Sequence, residues 1–297
     1  MSTYPKISVV TTCLNGGQYL EAAICSVLDQ GYPNLEYIII DGGSTDSSIE
    51  IIKRYAGKLA YWVSEPDDGP VYALQKGLAK TTGDIMAWLN ADDLYHHNSL
   101  FAVAEIFQQH RHVKWMMGTP SWLNRRSLWV QRGYHSGWKK FKYRYFNNEN
   151  MYRQWTWWSK YRYYCGNYMA IQQESTFWRR ELWEKAGGKM DAQYQFAYDM
   201  ELWCRFFRYE KLYTVPVFLA GFRFRFGDQL SVVHQQDYLK ECRIARDREW
   251  ARLGTLQKVN AALRCFLGSI LKTGIYLDLP FAKLTFRQIM RVSKLYP

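Results

Sequence analysis

Residues 35–46 read LEYIIIDGGSTD, and the reading of this stretch decides the fold. Leu35–Ile40 is an apolar, β-branched run of strand length that stops at an acid and two glycines. Ser44, Thr45 and Asp46 then offer capping side chains to a segment that puts Ile49, Ile52 and Tyr55 on one side of a helix. The same hand-over recurs on both flanks. Upstream, Lys6–Thr12 (KISVVTT) predicts a strand, and Gln18–Gln30 carries Leu20, Ala23, Ile24, Val27 and Leu28 at helix-stripe spacing. Downstream, Ala60–Ser64 predicts a third strand, Val71–Lys80 a helix with Leu74 and Leu78 inward, and Ile85–Leu89 a fourth strand. Strands alternating with helices of this length predict an α/β fold with a Rossmann-like, mostly parallel sheet flanked by helices. In such sheets ligands bind outside the carboxyl ends of the strands. The NGG, DGGSTD and NADD segments all leave carboxyl ends, so they converge on one edge.

With 297 residues, 48% hydrophobic and 22% charged, the chain is globular and long enough for one large domain or two smaller ones. Its six cysteines are scattered without a C-x-x-C pair, which argues against a disulfide framework or a zinc site and for a reducing compartment. The start, MSTYPKISVV, lacks the features of a signal peptide, and no apolar run has the length of a membrane span. The net charge of +12 is uneven: residues 1–110 hold 6 Lys and Arg against 13 Asp and Glu, net −7, which leaves 33 against 14, net +19, in residues 111–297. A basic remainder of this kind suits nucleic acid, an anionic membrane or a phosphorylated substrate.

Residues 111–170 hold seven of the thirteen tryptophans (Trp115, Trp122, Trp129, Trp138, Trp155, Trp157 and Trp158) among lysines and arginines. Two readings stay open here. One is an irregular, partly buried insertion; the other is a surface that stacks on sugar rings or meets lipid. Beyond residue 230 the chain predicts a helical, basic C-terminal extension. Leu256, Val259, Leu263, Phe266, Leu267 and Ile270 form one apolar stripe, and Lys283, Arg287, Arg291 and Lys294 recur on one side of a later segment. Such helices either cap the core or lie on an anionic membrane surface.

Neither G-x-G-x-x-G nor the P-loop pattern is present. The predicted sheet edge offers acids instead: Asp41, Asp67, Asp68, Asp92 and Asp93. Acids there can accept from base or ribose hydroxyls, or hold a hard divalent cation together with phosphate. The Asp92–Asp93 pair makes sense as a Mg²⁺ or Mn²⁺ site, because a cation relieves the repulsion between neighbours and neutralises a departing phosphate. Alternatively the pair caps a helix beginning near His97. Asp199 likewise reads either as a cap for Met200–Arg208 or as a functional acid.

The ordered series SVVTTCLNGGQYLEAAICSVLDQGYPNLEYIIIDGGSTDSS, EPDDGPVYALQKGLAKTTGDIMAWLNADD, QESTFWRRELWEKAGG and FAYDMELWCRFF resembles inverting glycosyltransferases of family 2, which have the GT-A fold. The resemblance covers roughly residues 5–230 and implies a GT-A domain over 1–230. Its nucleotide-binding half is 1–110, its acceptor and catalytic half with the aromatic insertion is 111–230, and the helical extension is 231–297. It implies that Thr12, Asn15 and Asp41 surround the nucleobase and ribose, with Ser44 in the same motif. Asp67 and Lys76 lie near the nucleotide and sugar, Asp92 faces ribose, Asp93 is the direct metal ligand, and Asp199 is the catalytic base. Glu174, Arg223 and Arg225 (in FRFRFGDQLS) are candidate diphosphate or acceptor contacts. Two departures stand out: Tyr72 and Gln75 occupy positions where the family often has Asp and Asn, and Tyr198 stands where a Glu often precedes the base.

These matches imply an inverting, metal-dependent transfer from a UDP- or GDP-sugar to an acceptor hydroxyl in cell-surface polysaccharide or glycan assembly. The acceptor expected from charge is a polyprenyl-diphosphate-linked saccharide, handled at the cytoplasmic face of a membrane. Two other classes compete. A non-catalytic nucleotide-sugar-binding protein would not need both the acid pair and Asp199. A nucleic-acid-binding protein fits the basic, aromatic segment but not an acidic site that repels phosphate, and no RNA or DNA motif is present.

Overall fold

A computed structural model describes residues 4–119, 121–123, 129–130, 156–158, 160, 171–225 and 229–271. The first half follows the strand–helix alternation of the sequence. β1 (Ile7–Cys13), α1 (Gly17–Leu28), β2 (Leu35–Asp41), α2 (Ser48–Tyr55), β3 (Tyr61–Ser64), α3 (Pro70–Lys80) and β4 (Ile85–Trp88) succeed one another. β1 pairs in parallel with both β2 and β4, and β2 with β3. The register sets Cys13 opposite Asp41 and Asp41 opposite Ser64, so the loops after β1, β2 and β3 leave one edge together.

After β4 comes β5 (Leu94–Tyr95), and only then α4 (Ser99–Gln109). The helix expected near His97 therefore starts later, and its N-cap is Asn98, in the left-handed region at φ 61°. Asp92 and Asp93 do not cap it. β6 (Trp115–Met117), β7 (Trp122–Leu123), β8 (Trp129–Val130), β9 (Thr156–Trp158), β10 (Thr176–Arg179), α5 (Arg180–Lys185), α6 (Tyr198–Phe206), β11 (Leu212–Thr214) and β12 (Ala220–Arg223) follow. The main sheet runs β3-β2-β1-β4-β10-β6-β11-β9, with β10 antiparallel to both β4 and β6. A smaller sheet runs β5-β12-β7-β8.

Because side chains alternate along a strand, the main sheet has two apolar faces. Val10, Ile38, Ile40, Met86 and Trp88 enter one core; Val9, Tyr37, Ile39, Ile85 and Ala87 enter the other. The first core holds an indole cluster. Trp88 (β4), Trp178 (β10) and Trp115 (β6) surround Trp203 of α6, and the Trp88 and Trp203 rings stack at 5.4 Å and 8°. Trp115 is thus core and does not belong to a sugar- or lipid-facing surface. Trp122, Trp129, Trp157 and Trp158 lie on strands, while Trp138 and Trp155 lie outside the described residues.

The extension begins with α7 (Leu230–Val233), α8 (Gln235–Ala251) and α9 (Thr255–Leu271). α8 packs on α6, and its Cys242 and Ala245 join the first core. Lys283, Arg287, Arg291 and Lys294 lie outside the described residues. No helix among the described residues is long and apolar enough to cross a membrane. The described cysteines Cys13, Cys25, Cys204 and Cys242 are free.

α3 lies close on the sheet at Gly77, where an added Cβ would fall 2.4 Å from Val10 Cγ1 and 3.1 Å from Ile40 Cγ1. Gly57 meets nothing within 4 Å. Gly77→Ala is therefore expected to destabilise the protein by about 1–3 kcal/mol through overpacking, whereas Gly57→Ala does not. Chemical denaturation of the two variants checks this; equal midpoints would refute the close packing.

Candidate active site

The carboxyl edge is organised first by Asp41, which is fully buried. Its Oδ2 accepts the N–H of Ser44 (2.9 Å) and of Gly43 (3.2 Å) and the Ser64 hydroxyl (2.7 Å); its Oδ1 accepts the Ser44 hydroxyl (2.5 Å). These bonds tie the ends of β2 and β3 together and leave Oδ1 the oxygen with room for a further donor. The loop after β1 is tied to the same turn. Asn15, at φ 50°, donates its N–H to Ser44 Oγ (2.7 Å), and its Oδ1 accepts from the Thr45 N–H (2.9 Å). Thr12 is half-buried one residue before the end of β1. Asp67 Oδ1 accepts the Gly69 N–H (2.9 Å), and a Cβ at Gly42 would approach Asp67 Oδ2 to 2.9 Å, so the two loops touch.

Not every expected residue points inward. Lys76 pairs with Glu65 at 2.6 Å on the rim. Gln75, one of the two departures, accepts the Met190 N–H at 2.6 Å and so links α3 to the segment ahead of α6. Tyr72, the other, is exposed.

The adjacent acids are offset from inside the chain. Asp93 is fully buried; its Oδ1 accepts the Arg223 N–H (2.9 Å) and its Oδ2 the Asn90 side-chain amide (3.2 Å). Arg225 pairs with Asp92 Oδ2 at 3.0 Å, and Arg223 Nε donates to the Asp92 carbonyl at 2.5 Å. Both guanidinium groups lie over the Tyr19 ring of α1, at 4.7 and 5.8 Å. Asp92 is thus the more accessible carboxylate and Asp93 the deeper one. Burial pushes the Asp93 carboxyl well above the usual carboxylate range, helped by the charges of Asp92 and Glu174.

Glu174 sits in a 3-10 turn (Gln173–Ser175) just ahead of β10 and is buried. Burial is the main cause that raises it to about 8, and the charges of Asp92 and Asp199 add to this. Among the described residues its Oε1 has no hydrogen-bond partner. Gln173 beside it braces the pair: its amide donates to the Trp88 carbonyl (2.6 Å), and its Oε1 accepts from Asn90 (3.0 Å). Asp199 lies in the first turn of α6, and Ala197 is the N-cap, so Asp199 is not the cap. Its Oδ1 accepts the Met200 N–H (2.6 Å); burial raises the group to about 6, and the charge of Glu241 adds to the rise.

The cation question turns on these contacts. Among the described residues no three or more His, Cys, Asp or Glu side chains form a preassembled metal group. The donor chemistry nevertheless fits a hard divalent cation. Such an ion needs only one or two carboxylates when phosphates complete its shell. Here Asp92 and Asp93 stand near an orphaned, buried Glu174 oxygen.

Sequence reasoning missed Tyr19, Ser64, Gln173 and Glu241. Ser64 was legible in principle, since it ends a strand beside Asp41. Nothing in the local pattern marked the others.

Comparison with known proteins fits this geometry. Residues 8–154 match the model of Glycosyl transferase family 2. An uncharacterized glycosyltransferase of Rickettsia typhi is 36% identical over 100 residues, which span 33% of this chain and 31% of the relative. Another, from Haemophilus influenzae, is 38% identical over 99 residues, spanning 32% of this chain and 40% of that one. The chain thus spans well under half the length of these relatives. Among solved structures, S. aureus TarS 1-349 aligns with TM-score 0.62 at 15% identity, covering 94% of this chain and 77% of that one. The mannosyltransferase PcManGT of Pyrobaculum calidifontis aligns with TM-score 0.59 at 17% identity, covering 99% and 80%. At these identities the structural likeness is one of fold. Over residues 8–154 the chain belongs to glycosyl transferase family 2, carried on a GT-A fold.

Proposed function

We propose that the chain moves a sugar from a nucleoside diphosphate sugar to an acceptor hydroxyl, with inversion at the anomeric carbon. The observation that carries this reading is the meeting of acids from three separate segments at one sheet edge. Asp92 and Asp93 follow β4, Glu174 precedes β10, Asp199 opens α6, and Glu174 feels the charges of both Asp92 and Asp199. The donor class is supported by the neighbouring folds: the TarS structure is a complex with UDP-GlcNAc, and that of PcManGT contains GDP-Man and Mn²⁺.

In this reading Thr12, Asn15, Asp41 and Ser44 surround the base and ribose, Asp92 meets ribose, and Asp67 and Lys76 flank the donor. Asp199 accepts the proton of the acceptor hydroxyl as its oxygen bonds to the anomeric carbon. On the opposite side the bond from that carbon to the phosphate oxygen breaks, and its electron pair leaves with the nucleoside diphosphate. An α-linked donor therefore yields a β-glycoside. A carboxylate at about 6 is ionised at neutral pH yet more basic than a free one, which suits the task. Arg223 and Arg225 face the charge that develops on the diphosphate. Asp93, with Asp92 beside it, would hold a Mg²⁺ or Mn²⁺, which when bound would supply further positive charge there. Glu174, whose carboxyl burial raises to about 8, offers the diphosphate or acceptor a hydrogen-bonding oxygen.

The acceptor is proposed to be presented at an anionic membrane surface, as on a polyprenyl diphosphate, within cell-surface glycan assembly. Among the described residues of α9, Leu256 (85% exposed), Val259 and Leu263 form an exposed apolar stripe, and the basic C-terminal segment follows it in the sequence. Vesicles with anionic lipid are expected to sediment the protein, and Leu256→Glu with Val259→Glu to release it; sedimentation that ignores lipid charge and these changes would remove this part.

Asp199→Asn is expected to lower transfer by about 100-fold to 10,000-fold while nucleotide-sugar binding persists. EDTA is expected to stop transfer in the unchanged protein until Mn²⁺ or Mg²⁺ is restored. A nucleoside-diphosphate release assay beside donor titration reads both, and transfer that survives both treatments would overturn the mechanism. Glu174 gives a pH signature. Its folded-state value of about 8 lies above the ordinary 4.5, so its contribution to stability is present at low pH and lost as pH rises from about 4.5 through 8. Glu174→Gln is therefore expected to exceed wild type in stability above pH ~8 by on the order of a few kcal/mol, with the gap closing near pH ~4.5. Parallel denaturation curves at all pH values would contradict this.

A further inference from the structure

Glu241 lies on α8, outside every motif used above, yet its carboxylate is spent on the chain just ahead of Asp199. Its Oε1 accepts the N–H of Gln195 (3.0 Å), and its Oε2 accepts those of Phe196 (2.9 Å) and Ala197 (2.8 Å). Three successive peptide donors on one carboxylate are charge-assisted bonds that fix the planes they belong to. Ala197 is the N-cap of α6 and has no side-chain cap bond, so Glu241 supplies from another helix the anion that the start of α6 favours. Asp199 then falls in the first turn, and Trp203, one turn on, enters the indole cluster.

The same segment is pinned at other points. Gln75 accepts the Met190 N–H, Arg248 of α8 pairs with Asp191 at 3.1 Å, and the Phe196 ring stacks on His234 at 4.5 Å and 19°. Arg248 also pairs with Glu201 of α6, and Glu249 with Arg208 just beyond it. α8 therefore grips both the entry and the body of the helix that carries Asp199.

We propose that Glu241 is the positioning residue for Asp199: it clamps Gln195–Ala197 so that the Asp199 carboxylate faces the acid-lined sheet edge. Glu241 acts through the backbone and need not touch substrate. The proposal rests on the reading of Asp199 as the base. It also has an electrostatic consequence. Among the described residues the titratable groups that act on Asp199 or feel its charge are Glu241 and Cys242 from α8, Glu174 from the turn before β10, and Tyr198 on its own helix. Burial is the larger cause of the raised Asp199 value, and the negative charge of Glu241 adds to it. Replacing Glu241 by a neutral isostere removes that charge, favours ionised Asp199, and moves the acid limb of the rate profile to lower pH.

The test uses the full chain and follows kcat, donor KM and the pH profile for wild type, Asp199→Asn, Glu241→Ala and Glu241→Gln. Glu241→Ala is expected to lower kcat by about 10-fold to 100-fold, the scale of a displaced catalytic group, with donor KM within about 2-fold. Glu241→Gln, which keeps one acceptor oxygen, is expected to recover part of kcat and to show the acid limb shifted to lower pH. If Asp199→Asn is inactive while Glu241→Ala keeps wild-type kcat, the positioning role fails and the base assignment stands. Loss of kcat in Glu241→Ala matched by loss of donor binding, with an unmoved acid limb in Glu241→Gln, reduces Glu241 to a fold-holding residue and also overturns the proposal. Full transfer by Asp199→Asn overturns the base assignment and this inference with it.

Discussion

The stack of Trp88 on Trp203 is the contact on which the site depends. Trp88 ends β4, two residues before Asn90 and the adjacent acids; Trp203 lies one helical turn beyond Asp199 on α6. With rings 5.4 Å apart and nearly parallel, and with Trp115 and Trp178 packed around them, the two segments cannot shift independently. Interiors packed at this density transmit displacement instead of absorbing it. An apolar contact between indoles thereby sets the relation between the acid pair and an acid more than a hundred residues away. Gln173 reinforces it by holding the Trp88 carbonyl and Asn90 together.

On that frame the edge is built with more acid than the local cations neutralise. Arg223 and Arg225 attend to Asp92 and Asp93, yet Asp93 and Glu174 are both pushed up by burial and by their acidic neighbours. A charged group taken from water into such a place favours its neutral form unless a counter-charge arrives. A substrate bringing phosphates alone would worsen the imbalance, whereas one bringing a divalent cation relieves it. If a diphosphate binds as proposed, Arg225, which pairs with Asp92 here, would have two claimants, the acid and the diphosphate, and nucleotide and cation binding would be coupled through it.

Much of this was legible in the sequence for a simple reason: the β-branched runs alternate with stripes of 3.6-residue period, and each acid directly follows a run. Asp41, Asp92 and Asp93 were placed at the sheet edge on that ground alone. The rest depends on tertiary pairing. β5 and β12 hold two and four residues, too few for a period, and they displace the helix expected at His97 to Ser99. Trp115 sits in a segment rich in tryptophan and basic residues that reads equally as surface; only the antiparallel pairing of β10 between β4 and β6 puts its indole in the core. Gln173 occupies a 3-10 turn with no pattern of its own, and Glu174 beside it was marked only by the resemblance. Glu241 lies on a mostly polar helix, where one acid among many carries no mark of its target.

The central claim is that the edge formed by the loops after β1, β2 and β4 receives a nucleotide with a divalent cation. Backbone hydrogen exchange with and without UDP or GDP and Mn²⁺ tests it most directly. The account predicts slowed exchange in residues 13–17, 42–46 and 90–95, with the loop at 65–69 following. Protection confined to other surfaces, or none at saturating nucleotide and cation, would contradict it.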